Sequence, residues 1–137
     1  MVLEFQYFLK SKKVRKITPD KDLAFSLRKD AEKRFMDSLL MEPKYKLENS
    51  YEAVRELIDS LMALHGYKTY SHEASISYLA KFKEFNDFEI EQLDIIRQKR
   101  NNSKYYGEEI EKEESEKTIF LLKPIFEKLL KILKEKI

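Results

Sequence analysis

The hydrophobic positions along this chain recur at the three- and four-residue spacing of amphipathic helices. The clearest stripe predicts a helix from about Lys46 to His65, and Gly66 follows it at a position suited to a left-handed helix cap. The residues of this stripe are Leu47, Tyr51, Val54, Leu57, Ile58, Leu61 and Leu64. We expect this apolar face of the helix to lie against the core of the domain.

A second stripe precedes that helix. Thr18, Pro19 and Asp20 are typical of a helix start, since they combine a capping hydroxyl, a proline for the first turn and an acid near the positive end of the helix dipole. Apolar residues then recur at every fourth position, namely Leu23, Leu27, Ala31, Phe35 and Leu39, joined by Ala24 and Met41. We expect Pro43 to end this helix.

Three further helices are predicted after Gly66. Ser71 is a candidate cap for a short helix over 72–82, and residues 86–87 can open another that carries Phe88, Leu93, Ile95 and Ile96. The last helix begins in the acidic run 108–117 and continues through Ile119, Leu122, Phe126, Leu129, Leu130 and Leu133. Pro124 is expected to kink it.

The remaining segments complete a single helical domain over residues 1–137. Residues 1–18 read as a short N-terminal helix, over Val2–Leu9, followed by a solvated basic linker that contains Lys10, Lys12, Lys13, Arg15 and Lys16. The segment YKTY at 67–70 reads as a loop. Residues 19–137 are therefore predicted to form an all-α, up-and-down antiparallel bundle of four to five helices.

Composition narrows the chemistry that this domain can perform. The 137 residues contain no cysteine, which excludes disulfides, thiolate zinc sites and cysteine nucleophiles. They contain only two histidines, which leaves few ligands for other metal sites. The 27 basic and 25 acidic residues nearly cancel to a net charge of +2, so affinity for nucleic acid must come from a local patch. No apolar run approaches the roughly 20 residues that span a bilayer, and we expect a cytoplasmic protein without membrane partners.

The segment RQKRNNSKYYG at 97–107 is the strongest candidate for a binding site. It combines guanidinium groups, which can hold a phosphate, with tyrosine rings, which can stack on a base. The candidate nucleotide- or RNA-binding residues are Arg97, Arg100, Asn101, Lys104, Tyr105 and Tyr106. The alternative is a hydrated, frayed helix end whose basic residues complement the negative end of the helix dipole.

Two strings together resemble a known family. NSYEAVRELIDSLMALHGYKTYSHEASISYL, followed by LDIIRQKRNNSKYYG and a long final helix, is similar to the HEPN proteins (higher eukaryotes and prokaryotes nucleotide-binding domain), particularly small archaeal members. The resemblance covers roughly Pro19 to Leu133. It implies a bundle of about four long helices that is often dimeric. Members act as RNases, as toxins paired with small nucleotidyltransferases, or as non-catalytic RNA- and nucleotide-binding modules.

This chain departs from the catalytic branch of that family. In that branch an arginine is followed, after four to six residues, by a histidine that moves protons during metal-independent RNA cleavage. After Arg100 the corresponding positions hold Tyr105, Tyr106 and Gly107. A phenol, whose pKa is ordinarily about 10, is a poor general base at neutral pH. We therefore expect no catalytic residue in this segment, and this departure leaves phosphate or RNA binding open.

Two residues outside the segment are candidates for a supporting role. His72 begins the predicted short helix, where the helix dipole disfavours a charged imidazole, and it reads either as a capping residue or as a distant base. Arg55 is spaced to pair with Glu52 and Asp59, either in a surface ladder or turned inward toward the arginine-bearing segment. No metal or cofactor motif is present, and we expect neither.

Three functions remain open. The first is a non-catalytic HEPN-like module that binds a nucleotide, RNA or a protein partner, including the toxin–antitoxin variant with a small nucleotidyltransferase. The second is a metal-independent endoribonuclease with a degenerate motif. The third is a structural protein that oligomerises through an apolar face. A homodimer is expected from the resemblance, and the short aromatic segments that contain Phe5, Tyr7, Phe8, Phe82, Phe85 and Phe88 favour it, because one small bundle is not expected to bury them all.

Overall fold

The computed structural model describes residues 2–137 and is 74% helical, which confirms the predicted all-α class. Its helices are α1 (Phe5–Lys10), α2 (Lys21–Ser38), α3 (Pro43–His65), α4 (His72–Leu79), α5 (Asp87–Tyr106) and α6 (Lys112–Lys136). Two three-residue strands, β1 (Val14–Lys16) and β2 (Tyr67–Thr69), complete the described elements. Within residues 2–137, no helix is long and apolar enough to cross a membrane.

Helix α3 is the centre of the bundle. It packs against α2, α4, α5 and α6. Leu47, Leu57 and Leu61 in this stripe are fully buried, and Leu57 and Leu61 share one core cluster with Leu122 and Leu129 of α6. The central position of α3 means that a polar residue on this helix can reach several neighbouring helices at once.

The helix starts follow capping chemistry, but two of the predicted helix ends are wrong. Thr18 was expected to cap α2 and Pro19 to lie in its first turn, whereas both precede the helix, which begins at Lys21 after the cap Asp20. The side chain of Asp20 caps α2 by accepting from the Leu23 amide, and Ser71 caps α4 by accepting from the Ala74 amide. Pro43 was expected to end a helix, and this expectation is wrong. Helix α2 ends at Ser38, and Pro43 opens α3, because a proline in the first turn has no amide hydrogen that needs a partner.

The basic linker and the YKTY loop are not irregular, contrary to the sequence prediction. They pair as an antiparallel two-stranded sheet in which Val14 lies opposite Thr69 and Arg15 opposite Lys68. Val14 and Thr69 are buried, while the basic side chains face solvent. Strands of three residues, separated by about fifty positions, carry too few alternating residues to be recognised in the sequence.

The polar stretch at 97–107 is not the frayed helix end that its two asparagines, serine and glycine favour. Helix α5 continues through it to Tyr106 and ends at Gly107, whose backbone is left-handed with φ of 69°. Buried contacts to α3 hold this last part: the Ser103 hydroxyl donates to Glu48 Oε2 at 2.8 Å, and Lys44 Nζ donates to the Ser103 carbonyl at 2.9 Å. Tertiary contacts therefore outweigh the low helix propensity of the stretch.

Three of the six aromatic residues that favoured a homodimer are buried, whereas Tyr7 and Phe88 remain exposed. Phe5 and Phe8 of α1, together with Phe85, lie in the core, and Phe5 packs edge-on against Tyr67 and Tyr78. The sheet supplies Tyr67 for this cluster, which explains how a small bundle covers these rings. These three residues therefore do not support a homodimer.

The two glycines offer a matched test of the fold. Both have positive φ, but a Cβ at Gly66 would lie 2.8 Å from the Ile17 carbonyl oxygen, whereas a Cβ at Gly107 would meet nothing within 4 Å. We expect Gly107→Ala to lower the free energy of unfolding by about 1–2 kcal/mol, the usual cost of a left-handed alanine. Gly66→Ala should cost clearly more, because it also displaces the connection between the sheet and α2. Equal losses in urea denaturation would contradict this packing.

Candidate functional site

Four of the six predicted binding residues line one open cavity of about 260 Å³. Arg97, Arg100, Asn101 and Tyr105 project from the last turns of α5, and the start of α4 forms the opposite side with Ser71, His72 and Glu73. We call this cavity the arginine cleft. Helical spacing explains the grouping, since residues three, four and eight positions after Arg97 lie near one helix face.

The structure separates the other two predicted residues from the cleft. Lys104 lines a neighbouring cavity together with Arg34, Glu48 and Glu52, and only Arg100 belongs to both cavities. Tyr106 lies outside both, with 83% of its surface exposed. Neither residue is placed to contact a ligand held between Arg97 and His72.

Arg100 is the most firmly held group of the cleft. Only 7% of its surface is exposed, and its Nη2 donates to Glu52 Oε2 at 3.3 Å. Its guanidinium carbon lies 6.0 Å from the centre of the Tyr51 ring and 5.9 Å from that of Tyr105. Ion pairing and cation–π attraction together fix the orientation of this cation.

Arg55 is turned inward and reaches Arg100 through a shared carboxylate. Its Nη1 donates to Glu52 Oε1 at 3.1 Å, so that each oxygen of Glu52 accepts from a different guanidinium. On its other side Arg55 Nη2 lies 3.7 Å from Asp59 Oδ2. Arg55 supports the cleft by holding Glu52 in place and does not line it.

Arg97 is held less tightly than Arg100. Its Nε donates to Asp94 Oδ1 at 2.9 Å within the same helix, and its Nη1 lies 3.9 Å from Glu73 Oε1 across the cleft. The Glu73 side chain is 55% exposed, so its ion pair with Arg97 is weak and open to water. An incoming anion can replace Glu73 at Arg97 without disturbing the buried contacts.

His72 enters the cleft as a neutral imidazole. Its Nδ1 lies 3.0 Å from the Tyr51 hydroxyl oxygen, and the two rings stack with centres 5.8 Å apart. Burial is the main reason why the pKa of His72 is lowered to about 4, and the positive charges of Arg55 and Arg100 lower it further. Burial also raises the pKa of the Tyr51 hydroxyl above its usual range, which keeps this partner protonated.

Sequence reasoning missed three parts of this site. Tyr51 falls in the apolar stripe of α3 and reads as a core residue, yet its hydroxyl orients His72. Glu52 reads as a surface acid, and Glu73 as an ordinary first-turn acid of a helix. Only the three-and-four spacing of Glu52, Arg55 and Asp59 signalled a network on this face, and it gave no information about contacts between helices.

Comparisons with protein-family models, with curated proteins and with solved structures found no significant match. The HEPN resemblance therefore rests on the residues of this chain alone. In the part of the chain that the structure describes, no group of three or more His, Cys, Asp and Glu residues is arranged to hold a metal ion.

The lowered pKa of His72 predicts a pH dependence of stability. Between pH 6.5 and about 4 the unfolded chain binds a proton at His72 that the folded chain does not bind, so this residue lowers stability as the pH falls. Asp59 acts in the opposite direction, because burial raises its pKa to about 6 and its protonation favours the folded state as the pH falls.

Comparison with His72→Gln separates these two opposing effects, because Asp59 is present in both proteins. We expect the stability of the wild-type protein, relative to that of the variant, to decrease as the pH falls from 6.5 to 4. Urea denaturation at several pH values measures this difference, and an NMR titration of His72 gives its pKa directly. A difference in stability that stays constant across this range would contradict the burial of His72.

Proposed function

We propose that this protein is a non-catalytic HEPN-like module that binds a nucleotide or RNA by its phosphate in the arginine cleft. The observation that carries this proposal is the group of side chains around one open cavity: two guanidiniums, an amide and a tyrosine ring. They belong to Arg97, Arg100, Asn101 and Tyr105. As the family resemblance implies, the proposal includes a homodimer and a small nucleotidyltransferase as candidate partners.

Exchange of anions at Arg97 is the proposed binding step. A phosphate oxygen takes the place of the Glu73 carboxylate at Arg97 Nη1, where the existing contact is 3.9 Å long and solvent-exposed. Arg100 then contributes from a fixed position, because Glu52 and two aromatic rings already orient it. Such preorganisation lowers the entropic cost of binding.

Tyr105 is the proposed contact for a base. Its side chain is 64% exposed beside the cleft, with Arg100 and the Nζ of Lys104 each within 6 Å of the ring centre. Base–tyrosine stacking is tolerant of sequence and contributes about 1–3 kcal/mol per base. The proposed ligand is therefore recognised by its phosphate and by one stacked base.

Local charge limits the strength of non-specific binding. Arg55, Arg97 and Arg100 are matched by the nearby carboxylates Glu52, Asp59, Glu73 and Asp94. The site therefore lacks the broad positive field of a general nucleic-acid-binding surface. Affinity must come from a small number of directed contacts, which favours one phosphate over a long polyanion.

A metal-independent endoribonuclease is the second candidate, because His72 lines the same cavity as both arginines. With Nδ1 directed to Tyr51, Nε2 is the nitrogen left to exchange a proton with a ribose hydroxyl. Proton transfer is most efficient when the pKa of the base lies near the working pH, whereas the pKa of His72 is about 4. This mismatch is why we favour the non-catalytic function.

The third candidate, a structural oligomer, is favoured by apolar side chains that remain at the surface. Leu40 is 92% exposed in the turn after α2, and Met36 and Phe120 are also exposed. An oligomer held by such residues would form independently of salt, whereas phosphate binding weakens steeply with ionic strength.

Matched charge variants test the arginine cleft. Arg97→Gln removes one positive charge from the arginine cleft. Lys83→Gln removes one positive charge from the connection between α4 and α5, which lies at the ends of these two helices that do not form the cleft. In titrations of ATP and of a mixed-sequence RNA, we expect Arg97→Gln to weaken binding about tenfold or more, as loss of a charge-assisted hydrogen bond predicts. Lys83→Gln should have little effect, and Glu73→Gln should strengthen binding because it removes the competing carboxylate.

Recovery of the RNA on a gel after each titration separates the candidate functions. Intact RNA together with salt-sensitive binding that depends on Arg97 supports the binding module. RNA that is cut in the presence of a chelator, but not by His72→Gln, would assign the endoribonuclease instead. Equal affinities of Arg97→Gln and Lys83→Gln for both ligands would exclude the cleft as the binding site.

A further inference from the structure

The β1–β2 sheet and the turn before it carry positive charge that the proposed function does not use. Strand β1 lies opposite β2, with Arg15 directly across from Lys68. The chain has no acidic residue between Glu4 and Asp20. Six exposed cations make up this surface, which we call the basic strand surface: Lys10, Lys12, Lys13, Arg15, Lys16 and Lys68.

The charges of the basic strand surface are not neutralised by the protein. Among residues 2–137, no ion pair involves any of the six cations. In the arginine cleft, by contrast, both Arg97 and Arg100 are paired with carboxylates. The basic strand surface therefore has the local positive field that the cleft lacks.

Three of the six cations occupy positions that are unfavourable for the fold. Arg15 and Lys68 are like charges directly opposite each other on adjacent strands, an arrangement that destabilises a sheet. Lys12 has a left-handed backbone with φ of 63°, a conformation in which glycine is the usual residue. The stability of the fold therefore does not explain the positive charge at these positions.

Hydrogen bonds hold the turn of this surface in place. The Lys13 amide donates to the Phe8 carbonyl at 2.9 Å, and the Thr69 hydroxyl donates to the Lys13 carbonyl at 2.6 Å. Val14 and Thr69 attach the other face of the sheet to the protein, since both are buried. The cations are thus carried by a fixed backbone, which lowers the entropic cost of binding an extended anion.

An aromatic ring lies beside the cations. Tyr70 directly follows β2 and is 78% exposed, with Lys68 Nζ at 5.7 Å from the centre of its ring. Surfaces for single-stranded nucleic acid combine cations that follow the phosphates with rings that stack on bases. A membrane surface would require apolar side chains that can insert into lipid, whereas Phe5 and Phe8 of the adjacent α1 are buried in the core.

We infer that the basic strand surface, together with Tyr70, binds a single strand of nucleic acid. Arg15 and Lys68 contact phosphates of the strand, and the Tyr70 ring stacks on a base beside them. Contacts of these two kinds do not read the edges of the bases, so binding is tolerant of sequence. Whereas the arginine cleft holds one phosphate, this surface holds an extended polyanion.

The basic strand surface is distinct from the site of the proposed function. None of its six cations lines the arginine cleft. The two surfaces are neighbours, because Tyr70 is followed by Ser71, which belongs to the lining of the cleft. ATP therefore tests the cleft and an oligonucleotide tests the basic strand surface, while Arg97→Gln shows how far binding of the oligonucleotide also depends on the cleft.

The test is a fluorescence anisotropy titration of the full chain with an oligouridylate of about ten nucleotides at several salt concentrations. In Arg15→Gln/Lys68→Gln we expect binding to weaken at least about tenfold. The slope of log K against log salt should become less steep by about 1.4, which is about 0.7 for each lost phosphate contact. Tyr70→Ala should weaken binding at least about fivefold without changing this slope, because stacking is not electrostatic.

A matched variant controls for the loss of net charge. Lys117→Gln/Lys123→Gln removes the same charge from exposed positions in the first half of α6 and should bind oligouridylate as the wild-type protein does. Arg15→Gln/Lys68→Gln should be at least as stable as the wild-type protein in thermal melting, because it removes a repulsion. It should also bind ATP normally, and it should weaken oligouridylate binding by the same factor when Arg97→Gln is present.

Equal affinities of the two double variants for oligouridylate would overturn the inference, even where Arg97→Gln weakens ATP binding. Two further ligands test the class of partner. Vesicles of equal parts phosphatidylserine and phosphatidylcholine that bind through Arg15 and Lys68, without binding of oligouridylate, would assign the surface to lipid. Polyaspartate that binds as tightly as oligouridylate, together with unchanged binding by Tyr70→Ala, would assign it to an acidic protein.

Discussion

The site depends on one carboxylate that is shared by two guanidiniums. Glu52 accepts from Arg55 with one oxygen and from Arg100 with the other, at 3.1 and 3.3 Å. Because Arg100 is almost fully buried, loss of its partner would leave an uncompensated charge, which costs about 3–5 kcal/mol in buried pairs. Glu52 thereby attaches the last turns of α5 to the central helix and fixes the position of the arginine cleft.

The same network shifts the pKa values of His72 and Asp59. The positive charges of Arg55 and Arg100 add to burial in keeping His72 neutral, and the Arg55 charge partly offsets the burial that raises the pKa of Asp59. Arg55 thus borders the cavity between α2, α3 and β2, and Glu52, which accepts from Arg55, also holds Arg100 in the arginine cleft. A module with a fixed Arg100 and an exchangeable contact at Arg97 is suited to binding a phosphate with little rearrangement.

Most of the helices were predictable because their sequence signals are local. The stripe from Leu47 to Leu64 and the caps at Gly66 and Ser71 follow from spacing and backbone chemistry alone. The β1–β2 pairing, the helical conformation of 97–106 and the Tyr51–His72 contact depend on groups far apart in the sequence. The sequence therefore identified Arg97, Arg100 and His72 as candidates, but the fold was needed to bring them to one cavity.

Hydrogen exchange in Glu52→Gln tests the role of Glu52 most directly. Glutamine retains an acceptor but loses the charge, so we predict that amides in residues 97–106 exchange at least about tenfold faster, a change of about 1.4 kcal/mol. The core of α3 around Leu57 and Leu61 should remain protected, because its apolar contacts are unchanged. Wild-type protection of residues 97–106 in the variant would show that the shared carboxylate does not hold the cleft in place.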